Sequence, residues 1–217
     1  VKPGIIDYGG GNLRSVANAL RAMGQEPVVI ARPEDLGDAT HLILPGQGAF
    51  GDCLERLEAR GLVDFLRRWI TGDRPYFGIC VGYQILFDSS EEAPGARGLG
   101  VIAGDVRKFA AEPGLKIPHM GWNSAVVSEP DAGPWVGLGP EPWFYYVHSY
   151  VPVPEDPSVI AARTTYGGQT FAAAVGRSNL LACQFHPEKS QDAGLRLIGN
   201  FLGLGPEECV DRAERGH

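Results

Sequence analysis

The chain is short of sulfur, with four cysteines and two methionines in 217 residues. Cys53, Cys80, Cys183 and Cys209 are widely and unevenly spaced and no Cys-x-x-Cys occurs. A chain of this length buries a core without covalent staples, so a disulfide framework is not expected. Cys183 and His186 have ligand-like spacing, but no second pair completes a tetrahedral zinc set. Positive charge is also scarce: 19 Lys and Arg against 26 Asp and Glu leave a formal net charge of −7. That is the wrong sign for a protein whose main partner is nucleic acid. Arg14, Arg21, Arg60, Arg67 and Arg68 read instead as solvated helix faces. No apolar run approaches the ~20 residues of a membrane span, and the N-terminus lacks the charged and apolar regions of a secretion signal. These absences predict a soluble cytoplasmic protein that needs no metal and no cofactor.

What is present is alternation. Short apolar runs at 4–7, 27–31, 41–44 and 75–79 are the length of buried strands. Between the first two, Leu13, Val16, Ala17, Leu20 and Met23 recur at helical spacing, and Gly24 can stop the helix. Leu54, Leu57, Leu62, Phe65, Leu66 and Trp69 form a second helical pattern, interrupted near Gly61. The second half has strand patterns at 100–109, 143–153, 158–164, 170–175 and 180–185, with a hairpin turn at 166–169 where adjacent glycines accept positive φ. A last helix is predicted from 190 to 202. The expectation is an α/β fold: a single domain over 1–217 whose mixed central sheet, parallel in the first half and antiparallel in the later strands, is flanked by helices.

The loop "DYGGGNL" (7–13) sits where a dinucleotide fingerprint would fall. Gly9 and Gly11 supply G-x-G, but the third glycine is replaced by Arg14, and no Walker lysine follows. The pattern predicts a tight turn with Asn12 capping the first helix, or an interface loop at the carboxyl edge of the sheet.

Cys80 occupies a similar edge, between Gly78 and Gly82 in "YFGICVGYQILF" (76–87). An isolated cysteine is most simply a small core residue. Gly-x-Cys-x-Gly at a strand-to-helix junction has instead the logic of a nucleophile elbow, in which a strained turn lifts the side chain out of the sheet. A helix starting there aims backbone N–H groups at the sulfur and favours the thiolate.

Of the five histidines, His217 is terminal and His41 begins a buried strand pattern, while His119 and His148 remain possible bases. His186 is the most suggestive. In "FHPEKS" Pro187 biases it to extended geometry, so that Glu188 points the same way and can orient the imidazole. "LPGQGAF" (44–50) adds a glycine loop whose backbone N–H groups can approach a ligand.

The order PGxG, then GxCxGxQ, then HPE resembles a class I (triad) glutamine amidotransferase over essentially the whole chain. The resemblance implies Cys80 as nucleophile, His186 as acid/base and Glu188 as its orienter. It implies that Gln84 and Glu92 hold the α-amino and carboxylate end of glutamine. The backbone of Gly46 to Gly48 and of His148, Ser149 and Tyr150 should line the same pocket, with the Val81 amide and one from the glycine loop as oxyanion hole. Gln47 departs from the pattern, standing where many relatives carry a small apolar residue.

The wording of "DYGGGN", "PHMGWN" (118–123), "FYYVHSY" (144–150) and "QFHPEKS" (184–190) is nearest to the histidine-biosynthesis branch of that family. There the implied partner is a (βα)8-barrel synthase (cyclase) subunit, joined in a heterodimer and receiving ammonia through an internal channel. Tyr8, Asn12, Trp122, Tyr145 and Lys189 are the expected interface residues. Glutaminases serving pyridoxal phosphate or GMP synthesis are the alternatives. A hydrolase of related fold and a non-catalytic binding module are more distant ones, disfavoured by Gln84 and by the intact Cys80, His186 and Glu188.

Overall fold

The apolar runs of the first half become strands and the 3.6-residue patterns between them become helices. In the computed structural model, which describes residues 1–209, β1 (Pro3–Ile6) is followed by α1 (Leu13–Ala22), β2 (Val28–Ile30), β3 (His41–Leu44), α2 (Phe50–Ala59), α3 (Leu62–Thr71), β4 (Tyr76–Ile79) and the single turn α4 (Val81–Gln84). α1 buries Val16, Ala17, Ala19 and Leu20, and α3 buries Leu62, Leu66, Trp69 and Ile70. Each Val, Leu or Ile among them contributes roughly 1.5–3 kcal/mol of burial. The interruption expected near Gly61 is the joint between α2 and α3, where Gly61 takes φ +68°.

The second half supplies β5 (Ser89–Ser90), β6 (Gly104–Lys108), β7 (His119–Ser124), β8 (Val126–Val127), β9 (Trp143–His148), β10 (Tyr150–Pro154), β11 (Ile160–Tyr166), β12 (Gln169–Arg177), β13 (Leu180–Cys183) and finally α5 (Gln191–Phe201). The main sheet has eight strands in the order β2-β1-β3-β4-β13-β12-β11-β8. Its first five members are parallel and the remaining pairings antiparallel, with the β11–β12 hairpin turning at Gly167 and Gly168. This single α/β domain with a mixed, helix-flanked sheet agrees with the sequence expectation.

Two features depart from that expectation in detail. The run 143–153 is not one strand: it breaks at Ser149, and its halves join different small sheets, β9 with β7 and β10 with β6. The Ser149 carbonyl accepts from Phe109 N–H (3.0 Å), which holds the break. The last strand is also not antiparallel throughout. β13 pairs antiparallel with β12 but parallel with β4, Ala182 opposite Gly78 and Cys183 opposite Ile79. That insertion places the segment after β13 beside the segment after β4, which is where Cys80 lies.

Candidate functional site

Cys80 follows β4 with φ +54° and ψ −107°, a left-handed-side conformation that costs a non-glycine residue strain. It therefore sits on an elbow, and its neighbours explain how the turn is tolerated. A methyl group on Gly78 would strike the Gly82 carbonyl, one on Gly82 would strike the Leu44 carbonyl, and one on Gly46 would lie 2.5 Å from the amides of Val81 and Gly82. The glycine loop after β3 thus packs on the elbow, with Gly46 buried beneath the site rather than lining it. α4 is a single turn with Val81 at its first position. A first-turn N–H has no intrahelical acceptor and is free for a ligand.

His186 leaves the sheet just past β13, with Pro187–Lys189 forming a 3-10 turn. Its Nδ1 is 2.8 Å from Glu188 Oε1, and both side chains are almost wholly removed from solvent. His186 is itself extended (φ −106°, ψ 91°), as the following proline predicts, and the chain enters the 3-10 turn only after it. Glu188 Oε1 also accepts from Asn12 Nδ2 at 3.0 Å. Asn12 stands at the cap position of α1, but its side chain makes no cap hydrogen bond and turns to the carboxylate instead.

Among the described residues, His186 Nε2 and Glu188 Oε2 are the buried side-chain polar atoms without a hydrogen-bond partner. Burial alone would lower the His186 pKa. The nearby Cys80 sulfur and Glu188 outweigh it and raise the imidazole from 6.5 to about 10. Burial pushes Glu188 up, yet its bonds to His186 and Asn12 hold it below the ordinary carboxylate range. Nε2 has no partner in hydrogen-bonding geometry, yet the Cys80 sulfur lies near enough to act on the imidazole.

These groups open onto a cavity of about 250 Å³ lined by Gln47, Gly48, Cys80, Val81, Gln84, Glu92, Pro118, Val147, His148, Ser149, Tyr150 and His186. Every pocket residue expected from the sequence is there except Gly46, with Glu188 one layer behind His186. Gln84 is buried and donates Nε2 to Tyr150 O (3.2 Å) and to Gln184 Oε1 (3.0 Å). Both its N–H groups are used, leaving the carboxamide oxygen as an acceptor. Glu92 Oε2 accepts the Phe50 amide (2.8 Å) at the start of α2, leaving Oε1 as a second acceptor on the cavity wall. The Gln47 amide lies 3.4 Å from Tyr8 Oη.

From the cavity wall inward, buried His148 and His119 form a directed chain. His148 Nδ1 is 2.9 Å from the Tyr150 carbonyl, which can only accept, so that nitrogen carries the proton. His148 Nε2 then accepts from His119 Nδ1 (3.0 Å), and His119 Nε2 accepts from Asn123 Nδ2 (3.3 Å). Burial keeps both rings neutral, lowering His119 from 6.5 to about 4. For His148, burial with its neighbours His119 and His186 lowers the value to about 3 against the opposing bond to Tyr150. Neither histidine serves as the base. His217 lies outside the described residues.

The expected interface residues separate into two groups. Tyr8 is 2 % exposed and packs under the glycine loop, and Asn12 is engaged with Glu188, so neither offers a free outward side chain. Burial drives the Tyr8 hydroxyl well above its usual range. Trp122 and Tyr145 are cross-strand partners of β7 and β9 with ring centroids 6.3 Å apart, and Lys189 Nζ lies 5.9 Å over the Tyr145 ring. Met120 (61 % exposed), Trp122 (45 %) and Trp143 (58 %) extend this into an outward apolar face. The same ribbon touches the triad: His186 N–H donates to Tyr145 O (2.8 Å), and Ser190 Oγ bridges Tyr145 N–H and His186 O.

Gln184, Ser190, Pro118 and Val147 were not anticipated. Gln184 alone carried a signal, as the one polar residue in the apolar run 180–185. The others are ordinary residues given a role by position.

A buried Cys–His–Glu line on an elbow, opening onto a small polar-walled cavity at the carboxyl edge of a mixed sheet, defines an acyl-transfer thiol enzyme. The chain belongs to the class-I glutamine amidotransferase family, whose model matches residues 4–203. The imidazole glycerol phosphate synthase subunit HisH of Thermosynechococcus vestitus is 50% identical over 201 residues, covering 92% of this chain and 95% of that protein. The subunit of the same name from Synechocystis sp. is 48% identical over 198 residues, covering 91% and 94%. Among solved structures, one described as a glutamine amidotransferase superimposes with a TM-score of 0.70 at 24% identity, covering 96% of this chain and 99% of that one. PurLQS from Thermotoga maritima gives 0.73 at 21%, covering 93% and 97%. At those identities the structures testify to the fold alone.

Proposed function

We propose that this chain is the glutaminase subunit of an imidazole glycerol phosphate synthase. The observation that carries the reading is the convergence of Cys80, His186 and Glu188 on a cavity that also presents Gln84 and Glu92. The Cys80 thiolate attacks the side-chain amide carbon of glutamine, and the developing oxyanion is met by the Val81 amide and an amide of the 46–48 loop. His186, already protonated beside the sulfur, gives its proton to the departing ammonia. It then takes a proton from the water that cleaves the thioester, releasing glutamate and restoring the thiolate. Glu188 holds the imidazole orientation throughout. The Gln84 oxygen and the free oxygen of Glu92 receive the α-ammonium group.

Ammonia set free in water is largely protonated and no longer a nucleophile, so its user must dock directly. The outward face of β7–β9 is the docking surface that fits: it is apolar, it carries Lys189 at its edge, and it is bonded to His186 through Tyr145. The partner is a (βα)8-barrel synthase subunit, and the pair works in the cytoplasm. Among the described residues no helix is long and apolar enough to cross a membrane.

Glutamate release by the chain alone and with its synthase subunit tests this directly. The expected result is weak turnover alone, rising when the partner and its substrate analogue are added. Equal turnover in both conditions overturns the coupling, and no turnover in either overturns the glutaminase assignment.

A further inference from the structure

Gln184 is fully buried directly after β13, where its backbone N–H bonds to Ala173 O. Among the described residues its side chain is the one carboxamide bonded to the Cys80 sulfur: Nε2 lies 3.6 Å from Cys80 Sγ, the distance of an N–H···S bond. A carboxamide could equally present its oxygen to the sulfur, and that would repel a thiolate. Two bonds forbid the flip. The Tyr150 carbonyl can only accept, so it fixes the amino end of Gln84 toward itself. That amino group, at 3.0 Å, fixes the oxygen of Gln184 toward Gln84. The amino end of Gln184 is left facing Cys80. The His148 ring donates to the same Tyr150 carbonyl and helps hold it in place.

We propose that Gln184 is a catalytic residue beyond the triad, an N–H donor that stabilises the Cys80 thiolate in the resting enzyme. A thiol sulfur is a weak acceptor and a thiolate a strong one, so a donor locked in this direction favours the anion. His186 approaches the sulfur as a cation and Gln184 as a neutral dipole. Gln184 keeps its polarity when His186 gives up its proton to the leaving group. Burial gives the bond its strength, because no water competes for the sulfur on that side. The inference rests on Cys80 being the nucleophile.

The test is the pH dependence of Cys80 alkylation by iodoacetamide in the full chain, followed by mass spectrometry of the Cys80 peptide. Gln184→Met and Gln184→Leu keep the volume and remove the donor. Either variant, shown by circular dichroism to be folded, should move the alkylation midpoint up by about one pH unit, or about tenfold in rate at neutral pH. An unmoved midpoint in a folded variant overturns the role of Gln184. Independently of any variant, the Gln184 side-chain amide resonances of the unaltered protein should titrate with the Cys80 midpoint; resonances that stay fixed overturn it as well. If Cys80 of the unaltered chain does not react at all, the nucleophile assignment falls, and the role of Gln184 with it.

Discussion

Asn12 Nδ2 lies 3.0 Å from Glu188 Oε1, joining the start of the first helix to the carboxylate beside His186 across 176 residues of sequence. The cap of α1 gives up its local hydrogen bond to make this contact. Strand β1 and α1 therefore hold the carboxylate that holds the imidazole. A change at Asn12 thus reaches the His186 imidazole through Glu188, from outside the cavity.

Asn12→Ala is expected to lower kcat/KM for glutamine on the order of tenfold, the scale of one hydrogen bond to a buried charge. Because Asn12 contributes to holding the Glu188 pKa low, its loss raises that value. The acidic limb of the pH–rate profile then moves to higher pH, whereas a merely structural role for Asn12 would lower the rate without moving the limb.

Cys80→Ala should abolish glutamine-dependent synthesis by the reconstituted pair while leaving synthesis from added ammonium salts intact. The assay follows product formation with each nitrogen source in parallel. Loss of both activities would mark Cys80 as a packing residue of the elbow.

Gly82→Ala should cost roughly 1–3 kcal/mol or more through overpacking, since its methyl strikes the Leu44 carbonyl across the elbow. Gly51→Ala, in α2, meets only Ala93 Cβ at 3.1 Å and should be milder. Calorimetric melting of both variants checks the order, and glutaminase activity should fall with Gly82→Ala alone.

The neutral pair His119 and His148 makes stability depend on pH. The unfolded chain binds protons at these rings near 6.5, while the folded chain does so near 4 and 3. Between those values the unfolded state carries more protons, so stability is fully present above about 6.5 and declines as pH falls toward 4 and below. Melting temperatures measured from pH 7 to pH 4 should fall, and His148→Gln should flatten that slope. An equally steep slope in the variant would place the acid sensitivity elsewhere.

Trp122→Ser, on the outward face of β7–β9, should weaken association with the synthase subunit on the order of tenfold to a hundredfold, as loss of a central aromatic anchor does. Calorimetric titration measures the change. The melting temperature of the isolated chain should be unaffected, because the ring is 45 % exposed.

Legibility followed the range of the interactions. The Cys80 elbow was readable because glycines two residues away on each side relieve a strictly local crowding. The His186–Glu188 pair was readable because a single residue, Pro187, separates its members and sets His186 in extended backbone, although the chain then enters a 3-10 turn that the proline alone did not show. Tyr8 illustrates the opposite case. Its place in a glycine-rich loop pointed outward, but the loop folds over it and its hydroxyl meets Gln47, 39 residues away. The run 143–153 carries an unbroken strand pattern, yet two different neighbours compete for it and divide it at Ser149.

By itself the sequence determined the alternation of strands and helices, the position of Cys80 at a strand end, and the pairing of His186 with Glu188. Those depend on side-chain periodicity and on glycine and proline at short range. Only the tertiary structure decided that β13 enters between β4 and β12, and with it which polar groups meet. Asn12 to Glu188, Gln84 to Gln184 and Gln184 to Cys80 span 176, 100 and 104 residues. A hydrogen bond of that separation depends on sheet order, and sheet order is settled by the packing of the whole core, which no local pattern records.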